Sequence, residues 1–392
     1  MKTIAFVIDV LSNGGAERVV RMLANQFNNI GYTVIVIAIK KAETPYIFDK
    51  QINVVTLDEL SLSKKDQVIK FLTEKSFKTW RTIRKKVRRK FFGKNDSITL
   101  WKESEPYYYF EYTKKIKTIL SEEKDVCVFS FLIISQITVG LLKRNSKIKR
   151  VFCERNAPVR EDCPKRLIML RDKLYPFFND AVFQTQEQKD YYDKIIPMGS
   201  IILNPLTDNL PDRYEGKRKK IIVDFCRLTK QKNLVLLIDS FQMLLNDYPD
   251  YILHIYGDGP EKQLLLNYII SKELDDRVLI KSHVPDIHNS IRDCAMFVST
   301  SDWEGLSNSM LEAMAIGLPT VCTDCDGGGA RMMIQDHENG LLVPKGDVQA
   351  VYQAMKEIIE DDELAERLSI NCSKLKEGLS VDKIVNEWIK KT

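Results

Sequence analysis

The chain has 392 residues, of which 44% are hydrophobic and 29% charged, with a formal net charge of +5. This composition excludes a disordered or fibrous chain, and the length exceeds one ordinary core, so about two domains are expected. The charge is uneven: thirteen Lys/Arg against two acids between Lys64 and Lys94 give a local +11, so the remaining residues sum to −6.

The opening MKTIAFVIDVLSNGG carries a short apolar run without a small-residue cleavage site, and reads as a first strand rather than a signal peptide. TIAFVIDV, the helical spacing of AERVVRMLANQFNNIG and the apolar YTVIVIAI predict strand, helix, strand, hence a parallel sheet with helical crossovers. Between strand and helix, SNGGAERVV places Gly14 and Gly15 where backbone approaches a ligand closely at a helix N-terminus. It is neither G-x-G-x-x-G nor a Walker loop, so a dinucleotide or ATP site is not supported.

Residues 42–124 break this rhythm and read as a basic insertion in the first domain. Within it, Phe77, Trp80, Ile83, Val87 and Phe91 recur at helical spacing in FKTWRTIRKKVRRKFF (77–92), with Lys/Arg on the other faces. Such a stripe suits an anionic membrane surface, and equally a helix docked on its domain with a solvated basic face. No RNA-reading module is visible, so nucleic acid is not the expected partner. The apolar run 126–142 is interrupted by Ser130, Ser135, Gln136 and Thr138 and falls short of the ~20 residues of a membrane span; it reads as a buried strand followed by a helix.

Strand patterns resume at 125–131, 149–155, 180–185 and 200–205. The polar stretch around 207–219, with Pro211 and Gly216, reads as a linker between a first domain (1–206) and a second (220–375). The second alternates again, with strands expected at 220–228, 251–259, 277–284, 295–301, 319–324 and 340–344. Residues 376–392 end in an amphipathic helix, expected to pack back toward the first domain. The predicted fold class is α/β: two doubly wound, Rossmann-like domains facing a central cleft, with ligands outside the carboxyl ends of the strands. The eight cysteines include one Cys-x-x-Cys, Cys322 and Cys325, without a second pair. They read as ordinary core or loop residues of a reducing cytosol.

Three stretches can carry chemistry. In EGLSNSMLE, Glu304 sits in a loop after a strand and Glu312 about one turn into a helix capped by Ser307 or Asn308. The amides of Leu306, Ser307 and Asn308 suit a diphosphate, and the two carboxylates suit neutral sugar hydroxyls on either side of it. Taken alone, the stretch reads equally as a capped helix with two surface acids. In CRLTKQKN, Arg227 and Lys232 pair a rigid fork with a mobile point charge, suited to a diphosphate or simply to a solvated basic loop. In FCERNAPVRED, Glu154, Arg155 and Asn156 follow a strand and are either polar contacts for a ligand or buried structural groups.

SNGGAERVV, CRLTKQKNLVLLIDSF, IYGDGPEKQLL and DWEGLSNSMLEAMAIGLPTVCTD, in this order and spacing, resemble the retaining, nucleotide-sugar-dependent glycosyltransferases of family 4, which have the GT-B fold. The resemblance covers nearly the whole chain and is strongest over 220–345. It implies that Glu312 takes the donor's ribose hydroxyls and Glu304 those of the transferred sugar. It also implies that the amides of Leu306, Ser307 and Asn308 hold the diphosphate, that Arg227 and Lys232 neutralise the leaving nucleoside diphosphate, and that Gly14 and Gly15 line the cleft. No metal or other cofactor is expected: Asp324-Cys-Asp326 reads as a turn. One departure is that all four histidines (254, 283, 288 and 337) lie in the second half, whereas many members of that family place one in the first domain. Glu154 and Asn156 are the candidates for that place.

The expected activity is retaining transfer of a hexose or N-acetylhexosamine from a nucleotide sugar, with UDP the expected nucleotide. The expected acceptor is a lipid-linked or surface polysaccharide, met by a cytoplasmic protein on the inner face of the plasma membrane. Two alternatives stay open: a catalytically silent nucleotide-sugar-binding subunit, and a GT-B sugar-nucleotide epimerase.

Overall fold

A computed structural model describes residues 2–43, 46–60, 105–143, 145–282, 284 and 286–392. The basic stretch 77–92 lies outside the described residues. The chain divides into two compact units. The first holds Met1–Asn13, Phe27–Cys153 and Lys165–Asn179; the second holds Gly14–Gln26, Glu154–Pro164 and Asp180–Thr392.

In the first unit, β1 (Thr3–Val10), β2 (Thr33–Lys40), β3 (Asn53–Thr56), β4 (Val126–Phe131) and β5 (Ile148–Cys153) form a parallel sheet in the order β3-β2-β1-β4-β5. β1 and β4 are buried along nearly their whole length, which is why both read as continuous apolar runs rather than alternating ones. Phe6, Phe27, Phe129 and Phe131 form the aromatic centre of this unit, with the Phe6 and Phe129 rings stacked at 5.5 Å. β3 falls inside the stretch 42–124 that broke the sequence rhythm, as does the helix Glu105–Leu120.

The run 126–142 resolves into β4 and the helix Ile133–Gly140. No helix of the described residues is long and apolar enough to cross a membrane. The amides of Ile134 and Ser135, and the Ser135 hydroxyl, all donate to the Asp9 carboxylate near the end of β1. A neighbouring strand thus supplies the acceptor for a helix N-terminus whose own flanking residue, Leu132, has none to offer.

In the second unit, β6 (Asp180–Phe183) pairs with β7 (Ser200–Ile201). A separate parallel sheet runs in the order β10-β9-β8-β11-β12-β13, built from β8 (Lys219–Phe225), β9 (Ile252–Tyr256), β10 (Val278–Lys281), β11 (Cys294–Ser299), β12 (Thr320–Asp324) and β13 (Leu341–Pro344). Its core joins Ile222, Leu253 and Val298 of the strands to Leu237, Phe241, Met355 and Leu368 of the flanking helices. The helix Val381–Ile389 buries Trp388 completely, with the Arg155 guanidinium 5.7 Å over its ring, and Lys391 pairs with Asp180 at 2.9 Å.

Asp9→Ala removes three hydrogen bonds from one helix start. It is expected to destabilise the protein by about 1–2 kcal/mol and to lower the melting temperature by a few degrees in a thermal scan followed by circular dichroism.

Candidate active site

The loops after β8, β11 and β12 converge at the carboxyl ends of the second unit's large sheet. Loop Thr229–Asn233 and loop Thr300–Glu304 are stitched by hydrogen bonds. Gln231 Nε2 donates to the Trp303 carbonyl (2.7 Å), Asn233 Nδ2 to Asp302 Oδ1 (3.0 Å), and the Thr300 hydroxyl to the carbonyls of Lys232 and Asn233. Thr323 ties the β12 end to Ser301 (2.7 Å), and the Glu304 amide donates to the Asp326 carbonyl (2.8 Å). Gly327 is required there. Its φ is +98°, and a Cβ would stand 1.7 Å from the Glu304 carbonyl oxygen.

These loops bring Lys232 and Glu304 into an ion pair, 11% and 16% exposed, with the Ser301 hydroxyl 3.3 Å from the same Glu304 oxygen. Burial pulls the Lys232 ammonium down, but the carboxylate of Glu304, with Cys226 and Asp224 nearby, outweighs burial and leaves its pKa raised. Lys232 is therefore a cation throughout the physiological range. Arg227 is exposed on the loop after β8.

Behind this pair lies Asp224, 1% exposed on β8, with the Cys226 thiol 3.5 Å from its Oδ2. Burial pushes the Asp224 carboxyl up to about 6, against the opposing pull of Lys232. Burial also raises Cys322, and pushes Cys325 up to about 12. Both thiols of the Cys-x-x-Cys are protonated core residues, as the lone pair in the sequence suggested.

The helix Asn308–Ala315 begins beside Glu304. Ser307 caps it by accepting the Met310 amide, and Met310, Leu311, Ala313, Met314 and Ala315 are all buried. A helix apolar on nearly every side is a core helix, yet it carries Glu312 at 2% exposure. Both Glu312 oxygens are engaged by the Arg18 guanidinium, and His288 Nε2 lies 2.9 Å from Oε2. Asn308 Nδ2 donates to the Gly15 carbonyl at 3.2 Å, so the Gly14–Gly15 turn and the start of this helix adjoin. The Glu17 side chain folds over Gly14, where a Cβ would meet its carboxylate at 2.1 Å.

The Leu306 amide, expected on a diphosphate, donates instead to Gln184 Oε1 (3.2 Å), and the Leu306 carbonyl accepts from Asn204 Nδ2 (3.1 Å). Ser307 and Asn308 stand at the helix start, where geometry leaves amides without an intrahelical acceptor. Glu154 is 3% exposed; it accepts the amides of Arg155 and Asn156 and the Tyr192 hydroxyl (2.6 Å). Asn156 Oδ1 accepts the Ala157 amide at 2.8 Å. Both side chains thus hold their own loop. The two carboxylates of Asp324-Cys-Asp326 go to cations: Asp324 to Arg331 (2.7 Å) and Asp326 to Lys345 (2.7 Å).

Sequence reasoning missed Arg18, His288, Gln184, Asn204 and Asp224. Arg18 stood inside the quoted SNGGAERVV, and Asp224 interrupts an apolar strand run; a polar residue within such a run was the available signal.

A carboxylate whose folded pKa is raised stabilises the fold below its unfolded pKa, and that contribution is lost as pH rises through the folded value. For Asp224 the window is pH 3.8 to about 6, equivalent to about 3 kcal/mol. The stability of the native chain relative to Asp224→Asn is therefore expected to fall across that window in urea unfolding at a series of pH values. A constant difference would contradict the burial of this group.

Residues 208–374 match the family of glycosyl transferases group 1. The chain is 25% identical over 398 residues to an uncharacterized glycosyltransferase of Haemophilus influenzae, covering 99% of each. It is 23% identical over 396 residues to an alpha-1,4-N-acetyl-D-galactosaminyltransferase of Campylobacter jejuni, covering 100% of this chain and 98% of the relative. That relative is named for acting on GalNAc-alpha-(1->4)-GalNAc-alpha-(1->3)-diNAcBac-PP-undecaprenol. Among solved structures, S. aureus TarM, in a complex that includes UDP, superposes with a TM-score of 0.76 at 13% identity, covering 100% of this chain and 99% of that one. Anabaena HepE in complex with UDP gives 0.74 at 16%, covering 100% and 99%. With this fold and these relatives, the chain is a glycosyltransferase of the GT-B fold.

Proposed function

We propose that this enzyme is a retaining glycosyltransferase of family 4. On this reading it moves a hexose or N-acetylhexosamine from a nucleotide sugar, with UDP the favoured nucleotide, to a lipid-linked or surface polysaccharide acceptor. The observation that carries the reading is the ion pair of Lys232 and Glu304 beside the helix start at Asn308, with Glu312 one turn further on. A cation, two amides at the helix start (Ser307 and Asn308) and two carboxylates, one in the loop before that helix and one on it, match the parts of a nucleotide sugar. Lys232, with Arg227, neutralises the diphosphate; Glu304 takes hydroxyls of the transferred sugar and Glu312 those of the ribose.

The acceptor hydroxyl attacks the anomeric carbon on the face from which the diphosphate departs, and a departing phosphate oxygen takes the hydroxyl proton. Bond making, bond breaking and proton transfer then occur on one face. Catalysis rests on positioning and on charge stabilisation of the leaving group. The chain's own cations supply that charge, and no metal is invoked. A lipid-linked acceptor is supported by the named acceptor of the Campylobacter relative. It would place the enzyme in the cytoplasm, at the inner face of the membrane, with the basic stretch 77–92 against anionic lipid.

The test is release of nucleoside diphosphate from a panel of nucleotide sugars, with and without a membrane lipid extract, for the native chain, Glu304→Gln and Lys232→Ala. Release that needs one donor plus the extract, falling by at least about a hundredfold in each variant, is the expected result. An α-anomeric product from an α-linked donor, read by NMR, is expected for retention. Turnover of donor without acceptor would favour an epimerase. Saturable donor binding without any release would favour a silent subunit.

A further inference from the structure

We propose that Arg18 holds, on Glu312, the place of the donor's ribose diol, and that donor binding hands its guanidinium to the diphosphate. The inference rests on the nucleotide-sugar reading and adds to it a residue and an exchange of partners.

Glu312 is the carboxylate that reading assigns to the ribose. At 2% exposure it has no water to spare, and it is already taken: Arg18 reaches both of its oxygens, and His288 lies against Oε2 at 2.9 Å. A guanidinium fork offers a carboxylate two parallel N–H donors, and a cis-diol offers two O–H donors at similar spacing. The two are alternative occupants of one acceptor edge, so a ribose reaches Glu312 by displacing Arg18. The displaced group is built to move. Arg18 is 25% exposed on a long, rotatable side chain, whereas His288 is 14% exposed with its ring edge against Phe225.

The place it moves to is also defined. Arg18 stands one turn into the helix Gly15–Asn29, and the Gly15 carbonyl accepts from Asn308. Asn308 opens the helix that carries Glu312 four residues later, about 6 Å along the axis. A diphosphate held at that helix start lies within one helical turn of the guanidinium. Arg18 therefore exchanges one anion for another and is never left as an unpaired charge in a partly buried site. Glu312 likewise keeps hydrogen-bond donors on both sides of the exchange.

The test is titration calorimetry of the full chain with four nucleosides (uridine, guanosine, adenosine, cytidine) and their 5′-diphosphates, for the native protein, Arg18→Ala and Arg18→Lys. Arg18→Ala removes the competitor and the phosphate ligand together. It is expected to bind the nucleoside several-fold tighter and the diphosphate about tenfold weaker. Arg18→Lys keeps the charge without the fork, so it is expected to tighten nucleoside binding while holding the diphosphate near the native value. These opposite signs separate the exchange from a merely structural role. Losses of equal size for nucleoside and diphosphate, or no change in either, would overturn it. Melting curves report folding, and if the Ala variant is unfolded the Lys variant decides alone. A native protein that binds none of the diphosphates would overturn the nucleotide-sugar reading itself, and this inference with it.

Discussion

A carboxylate shut away from water must find a cation or a set of donors, and that requirement organises this site. Glu304 is held by Lys232, and Glu312 by Arg18 and His288. Each pairing ties together segments remote in sequence: 72 positions separate Lys232 from Glu304, and 294 separate Arg18 from Glu312. Breaking one leaves a buried charge uncompensated, which is far more damaging than the pair's net worth to stability. The pairs therefore act chiefly as constraints on where loops sit.

The scaffold beneath them is stiff and mostly uncharged. Parallel strands end at a common edge, and amide, hydroxyl and carbonyl groups lock the loops that leave it. Gln231, Asn233, Thr300 and Thr323 contribute no charge, yet they fix the backbone from which Lys232 and Glu304 project. Such an arrangement suits transfer chemistry that depends on placing charge opposite a leaving group, because little reorganisation remains to be done. Gly327 belongs to the same device, allowing the loop after β12 to lie directly on the Glu304 main chain.

How much of this was legible in the sequence varies by residue. The buried strands were visible, because β1, β4, β8 and β11 need apolar residues on both faces. The four-residue β3 was not, since an edge strand with half-exposed Val54 and Val55 carries no long apolar run. Lys232, Ser307, Glu304 and Glu312 were legible by local spacing. Their partners were not, because spacing carries no information across hundreds of positions. Arg18 carries no signal beyond its place in a stretch of helical spacing, and Gln184 and Asn204 fall near the ends of predicted strands. Leu306 is the instructive case. Its amide lies in the predicted turn, but a buried glutamine from elsewhere in the second unit reaches it first.

Seven of the eight cysteines are buried and Cys226 is partly so. With Cys226, Cys294, Cys322, Cys325 and Cys372 all raised by burial, the native fold presents little thiolate to an electrophile. A single cysteine engineered onto an exposed turn would then be the preferred target for a maleimide dye. The enzyme could carry a fluorophore or spin label at one chosen position without first being stripped of its native sulfur.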